Sequence, residues 1–182
     1  GKDPLRGEVA VFLPPHSLCD VTPEEARPDL TDFNTLSSIS FIRRFISLQK
    51  QRCSSMGIKY IKRVIGLPGD SIEMRGFEIW VNGEKVKQEI IEQKGGQGLY
   101  EETLSNKIHI IRTQGVSEFS VHKWHIPEGK FLALGDNRDN SLDSRAWGYF
   151  SRSQLIGKAE FIWLHWGSYS EMPKLSRNGR IL

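Results

Sequence analysis

The sequence predicts a mainly β protein that carries one helical insertion. From residue 60 onwards, short runs rich in β-branched and aromatic residues recur, and Gly, Pro and Asn residues separate them. Helical periodicity is confined to residues 20–56. Many short strands with frequent turns and few helices are typical of an all-β domain.

The composition fits a single folded domain. The chain has 182 residues, of which 38% are hydrophobic and 26% are charged. Its net charge of +3 is too small and too dispersed to indicate a nucleic-acid partner. No apolar run approaches the roughly 20 residues of a membrane span. Cys19 and Cys53 are too few for a disulfide scaffold, and whether they form one bridge or remain thiols stays open.

The first predicted elements are a strand and a helix start. Residues 6–13 form an apolar run that two prolines end, which predicts a buried strand. Thr22 then has the features of a helix N-cap, because a proline follows at the first helical position and a glutamate three residues on completes a capping box.

Residues 38–54 have the periodicity of an amphipathic helix. Apolar side chains share one face, namely Ile39, Phe41, Ile42, Phe45, Ile46 and Leu48. Four basic residues lie mostly opposite that face, namely Arg43, Arg44, Lys50 and Arg52. Two interpretations are open: the helix packs on the protein body, or its basic face lies on an anionic membrane surface.

The remainder of the chain is β-rich. Strands are predicted at residues 60–66, 77–81, 84–86, 107–112, 118–121, 130–134 and 155–166. Pro68 and Gly69 mark a tight turn, and Asn82 with Gly83 predicts a type I′ hairpin turn. The glycine-rich residues 95–98 are expected to form a flexible break.

The most polar segment of the chain directly follows a buried strand. Residues 135–148 hold three Asp, two Asn, two Arg and two Ser, and they come after the apolar residues 131–134. A plain chain reversal needs only one or two turn-forming residues. Unpaired charges beside a core cost several kcal/mol each, so this loop is expected to form a cross-bonded network.

Lys62 is the first candidate for chemistry, because it lies in the apolar run 60–66. Strand alternation could place its side chain on a solvated face. If the amine is buried instead, its pKa falls and it becomes a candidate general base. A hydroxyl nucleophile activated by such a lysine is a known alternative to a Ser–His–Asp arrangement.

Other candidate groups of residues do not indicate a metal or cofactor site. His122 and His125 are three residues apart on a predicted strand, which is poor geometry for a metal, and they are interpreted as surface residues. The Asp-rich loop 135–148 does not match a calcium-binding loop. No glycine-rich phosphate loop opens a helix. Neither a metal nor another cofactor is therefore predicted.

Three segments resemble, in order, the signature motifs of bacterial type I signal peptidases. These segments are residues 6–12, 60–70 and 135–148. The resemblance implies a membrane-anchored serine protease with a Ser–Lys dyad and a coiled antiparallel β-sheet body. It also implies that the substrates are the signal peptides of exported preproteins, bound as extended strands. Cleavage would occur on the outer face of the cytoplasmic membrane.

The resemblance also assigns roles to individual residues. Lys62 matches the general base, and Ser141 matches a serine that orients that lysine. Four residues match salt-bridge partners beneath the site, namely Arg63, Asp136, Asp143 and Arg145. Tyr60 and Ile61 match the strand that receives the substrate.

We expect one catalytic region over residues 1–182. Its core would comprise residues 1–13, 58–76 and 130–182, with an insertion at 14–57 and a β-rich accessory segment at 77–129. The insertion includes helix 38–54, which is a candidate membrane contact.

The nucleophile implied by the resemblance belongs to a Ser-Met-x-Pro motif upstream of the first segment. The chain starts at Gly1 without that motif, so we expect a truncated product that lacks the membrane anchor and the nucleophile and is inactive alone. Ser55 precedes Met56, but it follows the first segment and no proline completes the motif. Two alternatives are a self-cleaving repressor protease with Ser–Lys chemistry and a non-catalytic peptide-binding module on the same β fold.

Overall fold

Strands account for more than half of the described chain and helices for a small part of it, which confirms the prediction of a mainly β fold. A computed structural model describes residues 2–13, 59–114, 121–162 and 179–181. Several predictions concern residues outside these ranges, namely the helix starting at Thr22, the helix at 38–54, the state of Cys19 and Cys53, and Ser55.

The strands are β1 (Val9–Phe12), β2 (Tyr60–Gly66), β3 (Ser71–Arg75), β4 (Glu78–Val81), β5 (Glu84–Lys85), β6 (Lys87–Lys94), β7 (Gln97–Leu104), β8 (Lys107–Gln114), β9 (Val121–His125), β10 (Lys130–Leu134), β11 (Phe150–Ser151), β12 (Leu155–Lys158), β13 (Phe161–Ile162) and β14 (Gly179–Arg180). A short helix α1 (Ser144–Trp147) and a 3₁₀ turn (Arg152–Gln154) lie between β10 and β12. Every pairing between these strands is antiparallel.

A five-stranded sheet in the order β11-β10-β2-β1-β12 forms the centre of the molecule. Both of its faces are covered. Val64 packs with Phe12, Trp147 and other residues on one face, whereas the next residue, Ile65, packs with Ile72, Trp124 and other residues on the other. Burial on both faces explains why residues 131–134 form an uninterrupted apolar run rather than an alternating one.

A four-stranded sheet in the order β5-β4-β3-β9 covers one face of the central sheet. The hairpin between β4 and β5 turns at Asn82 and Gly83, whose φ angles are 53° and 85°. Positive φ at both central residues defines a type I′ turn, as the Asn-Gly pair predicts.

Residues 95–98 do not form the expected flexible break, because they lie in a three-stranded sheet in the order β6-β7-β8. Gly95 and Gly96 have φ angles of 57° and 82° and form a tight hairpin between β6 and β7. Strand β6 was not predicted because it is polar and mostly exposed, so it lacks a hydrophobic pattern.

Further elements differ from the predictions, and strands β3, β7, β11 and β14 were not predicted. Strand β9 begins at Val121, at the end of the predicted strand 118–121, whose first residues lie outside the described part. The strand predicted at 155–166 is split into β12 and β13, and residues 163–166 are outside the described part. Helix α1 lies within the segment interpreted as a loop, and Asp143 is its N-cap.

Candidate active site

Lys62 lies on the face of the central sheet that carries the aromatic cluster around Trp147. Its neighbours two positions away on β2, Tyr60 and Val64, share this face. Tyr60 packs edge-on against Trp147 with ring centroids 6.5 Å apart, and the Lys62 amine lies 5.7 Å from the Tyr60 ring centroid. The lysine therefore reaches along apolar surface and is only partly exposed.

The surroundings of Lys62 lower its pKa. Burial makes the largest contribution because it disfavours the charged amine. The Arg145 guanidinium lowers the pKa further, while the carboxylates of Asp143 and Asp136 raise it and only partly offset these effects. The net direction is the one that a lysine general base requires.

Ser141 fixes the position of the Lys62 amine. The Lys62 Nζ donates a hydrogen bond to the Ser141 Oγ at 2.8 Å, although the two residues are 79 positions apart in the chain. Gly135 makes this approach possible, because a Cβ at that position would lie 2.1 Å from the Ser141 Oγ. A side chain at residue 135 would therefore displace the serine.

Arg63 joins the three motif segments. Its Nε and Nη2 atoms donate to the two carboxylate oxygens of Asp136, each at 2.9 Å, and its Nη1 donates to the Gly7 carbonyl at 2.7 Å. The Arg63 side chain is buried, whereas the Asp136 side chain is 40% exposed. A bidentate arginine–carboxylate pair is directional, so it holds the start of the loop 135–148 against β2.

Asp143 and Arg145 brace the other end of the same loop. Arg145 donates through Nε and Nη2 to the two oxygens of Asp143, each at 2.8 Å. The buried Asp143 also accepts from the Gly135 backbone N–H at 2.9 Å. This hydrogen bond therefore closes the segment between Gly135 and Asp143, which carries Ser141, into a loop.

The predicted substrate residues Tyr60 and Ile61 lie on opposite faces of β2. Tyr60 belongs to the face of Lys62, whereas Ile61 faces the other side, opposite Val11 on β1, and is 60% exposed. Strand β10 pairs with β2 only as far as Arg63, because the chain turns away into the loop after Leu134.

The sequence interpretation missed a second ionic cluster beside the site. Arg138 is fully buried and forms an ion pair with the equally buried Glu102 of β7. Arg138 belongs to the polar loop that the sequence singled out, but its partner lies in a strand that was not predicted. The signal available in the sequence was the alternation of Tyr100, Glu102 and Leu104, whose side chains share the buried face of β7.

His122 is partly buried, contrary to its interpretation as a surface residue, whereas His125 is exposed. Burial lowers the pKa of His122, Arg145 lowers it further, and Asp143 raises it. Within the described ranges, no group of three or more His, Cys, Asp or Glu residues could hold a metal ion. None of the helices in those ranges is long and apolar enough to cross a membrane.

Comparisons with known proteins match most of the chain. The profile of the family described as "Signal peptidase, peptidase S26" matches residues 1–166. Signal peptidase I of Pseudomonas aeruginosa is 37% identical over 148 residues, which cover 70% of this chain and 52% of that protein. Signal peptidase I of Rickettsia typhi is 37% identical over 127 residues, which cover 60% of this chain and 47% of that protein.

A solved structure is also similar. The crystal structure of a signal peptidase I from Enterococcus faecalis V583 aligns with a TM-score of 0.42 at 19% identity, over 86% of this chain and 97% of that chain. The chain spans about half the length of the curated relatives it matches.

Proposed function

The chain belongs to the signal peptidase, peptidase S26, family, and on this premise we propose that it is the catalytic region of a type I signal peptidase. Such an enzyme is a serine endopeptidase that removes N-terminal signal peptides from exported preproteins. The observation that carries the proposal is the partly buried Lys62 amine, held at 2.8 Å from Ser141 and with a lowered pKa.

Lys62 is the general base in the proposed mechanism. The neutral amine takes the proton of a serine hydroxyl as that oxygen attacks the scissile carbonyl. The tetrahedral intermediate then expels the amine of the mature protein, which takes up the proton held by Lys62, and leaves an acyl-enzyme ester. Water deprotonated by the same lysine hydrolyses the ester and releases the signal peptide.

We place the nucleophilic serine in a Ser-Met-x-Pro motif that precedes Gly1 in the complete protein. Ser141 does not suit this role, because its Oγ accepts the hydrogen bond that positions Lys62. The ion pairs Arg63–Asp136 and Asp143–Arg145 support the loop that carries Ser141. These residues orient the base and do not react themselves.

The proposed substrate binds as an extended strand beside Tyr60 and Ile61. Strand β10 leaves β2 at Arg63, so an added strand on this side of β2 would lead directly to Lys62. Backbone pairing of this kind recognises a peptide largely independently of its sequence, which suits an enzyme with many preprotein substrates.

We assign the catalytic region to the outer face of the cytoplasmic membrane, where exported preproteins emerge. An N-terminal anchor in the complete protein would tether it there. The basic helix predicted at residues 38–54 is a second candidate membrane contact, with packing on the protein body as its alternative.

Substitution of Lys62 tests the proposed function. In the complete protein, Lys62→Ala is expected to lower kcat for preprotein cleavage by about 1,000-fold or more, because general-base catalysis is removed and the nucleophile is no longer activated. Cleavage is followed by gel mobility of a labelled preprotein.

Lys123→Ala is the matched control, since Lys123 is an exposed lysine on β9 and 64% of its side chain is accessible. It should cleave at the wild-type rate. A Lys62→Ala protein that remains folded and cleaves as fast as the Lys123→Ala protein would exclude Lys62 as the base.

A further inference from the structure

The three-stranded sheet β6-β7-β8 is attached to the catalytic loop through both backbone and side chains. The Arg112 N–H of β8 donates to the Asp136 carbonyl at 2.8 Å, and the Arg138 N–H donates to the Arg112 carbonyl at 2.8 Å. Residues 136–138 therefore run alongside β8 as a short parallel extension. The backbone of Asp136, the partner of Arg63, is set by this sheet.

Glu102 on β7 is the centre of the side-chain attachment. Its Oε2 accepts from Gln88 Nε2 at 2.6 Å, and its Oε1 lies 3.1 Å from His109 Nε2 and accepts from Arg138 Nη2. Both Glu102 and Arg138 are fully buried. Arg138 also donates through Nη1 to the Phe77 carbonyl at 3.0 Å, which fixes the guanidinium in one orientation.

The contacts continue from Arg138 to the catalytic pair. The Arg138 carbonyl accepts from Arg145 Nη2, and Arg145 holds Asp143 through two further hydrogen bonds. Asp143 binds the Gly135 N–H, and Gly135 is the residue against which Ser141 packs. A continuous set of hydrogen bonds and packing contacts thus joins Glu102 to the serine that holds Lys62.

We propose that Glu102 is a positioning residue for the reaction: by holding Arg138 it fixes the loop 135–145 and, through Arg145, Asp143 and Ser141, the location of the Lys62 amine. This inference rests on the proposed function. A structural carboxylate would only stabilise the fold, whereas a positioning carboxylate also sets the rate constant and the protonation of Lys62.

The direction of the effect follows from the surroundings of Lys62. Among the described residues, the charged groups that act on its amine are Asp136, Asp143 and Arg145, and burial is the main reason that its pKa is lowered. If the loop relaxes, water reaches the amine and its pKa moves back towards the ordinary value. Since the neutral amine is the active form, the acid limb of the rate profile then moves to higher pH.

The test compares Glu102→Gln with Glu89→Gln in the complete protein. Glu89 is a matched control, because it lies in the same sheet on β6 and forms an exposed ion pair with Lys87 at 2.7 Å. For Glu102→Gln we expect kcat to fall about 10- to 100-fold, with KM changed less than about twofold, because a displaced base slows chemistry without weakening distant substrate contacts. Glu89→Gln should behave as the wild type.

A second readout does not depend on cleavage. Trace acylation of lysines, followed by mass spectrometry across a pH series, reports the ionisation of the Lys62 amine directly. We expect the Lys62 labelling curve to move to higher pH in Glu102→Gln and to stay unchanged in Glu89→Gln. If the complete wild-type protein cleaves no preprotein, the proposed function fails, yet this curve still decides the role of Glu102.

The double variant Glu102→Gln/Arg138→Gln covers the case in which Glu102→Gln does not fold, because it leaves no unpaired buried charge. It should show the same loss of kcat and the same displaced labelling curve. A folded single or double variant with a wild-type kcat and an unmoved Lys62 curve, differing only in melting temperature, would overturn the proposal.

Discussion

At Lys62, one hydrogen bond limits the orientation of the amine, which matters for the base role that we propose. A neutral amine has two N–H donors and one lone pair. The Ser141 Oγ accepts one of the N–H groups at 2.8 Å, which limits the directions in which the lone pair can point. In the proposed mechanism, burial favours the neutral amine at lower pH and Ser141 orients it for proton transfer.

Gly135 gives a test at the scale of a single residue. Gly135→Ala would place a Cβ 2.1 Å from the Ser141 Oγ and 2.5 Å from its Cβ, so the serine must move and the contact with Lys62 is lost. We expect kcat/KM of the complete protein to fall at least about 100-fold and the unfolding free energy to fall by about 1–3 kcal/mol. Preprotein cleavage and urea denaturation measure the two effects.

Gly157→Ala is the control for this substitution, because within the described part of the chain no atom beyond the adjoining residues lies within 4 Å of a Cβ built at that position on β12. It should change neither quantity. Wild-type cleavage by the Gly135→Ala protein would show that the Lys62–Ser141 contact is dispensable.

At the scale of elements, β2 and β7 each carry a buried charge whose partner lies on the loop 135–148. Arg63 on β2 binds Asp136, and Glu102 on β7 binds Arg138. The two partners on the loop have opposite charges and are two residues apart. The loop can therefore settle in only one register against the two strands, because a shift would leave buried charges unpaired.

Glu102 on β7 should make the free energy of unfolding depend on pH in the acid range. Burial raises the pKa of Glu102, but the charge of Arg138 and hydrogen bonds from His109, Arg138 and Gln88 outweigh it and lower the pKa from 4.5 to about 2. The unfolded chain binds a proton first as the pH falls, so this stabilisation is present above the unfolded pKa and is lost as the pH approaches 2. The loss is expected to be about 3 kcal/mol.

Urea unfolding across this acid range measures the effect. Glu102→Gln should be less stable than the wild type near neutral pH, and the difference should shrink as the pH falls. Glu89→Gln should keep the acid dependence of the wild type. A constant difference between wild type and Glu102→Gln at every pH would exclude the ionised Glu102–Arg138 pair as its cause.

At the scale of the whole molecule, the central sheet brings together motifs from distant parts of the chain. Val9 of β1 and Leu134 of β10 lie on either side of Arg63 in the strand register. The first motif supplies the Gly7 carbonyl to Arg63, the second supplies Lys62 and Arg63, and the third supplies Asp136 and Ser141.

The proposal places the base in this chain and the nucleophile in a segment upstream, and cleavage by the 182-residue chain tests this. We expect the 182-residue chain to cleave no preprotein, whereas a form extended upstream to include the Ser-Met-x-Pro motif cleaves it. In the proposed mechanism, that motif supplies the hydroxyl that Lys62 activates. A time course with a labelled preprotein distinguishes the two forms.

Ser55→Ala is the control for the nucleophile, and in the extended form it should cleave at the wild-type rate. Cleavage by the 182-residue chain that disappears in Ser55→Ala would identify Ser55 as the nucleophile and contradict the assignment upstream.

The parts of the fold that the sequence predicted are those with local causes. The Asn82–Gly83 turn follows from the backbone freedom of two residues, and the strand 130–134 follows from its apolar composition. Strand β6 was missed because its polar side chains give no pattern and its place depends on backbone pairing with β7. The Lys62–Ser141 contact was expected only through resemblance, since nothing local relates residues 79 positions apart.

By itself, the sequence determined the β class, most strand positions and the three segments to which the proposal assigns the chemistry, because these depend on side chains that are near one another in the chain. Tertiary structure alone decided which face of β2 carries Lys62 and how far its amine is buried, since both depend on the strands and aromatic residues that pack around it. The structure also revealed Glu102 as the partner of Arg138, 36 residues away. Charge pairing between distant residues depends on the folded geometry, so patterns in a local stretch of sequence do not predict it.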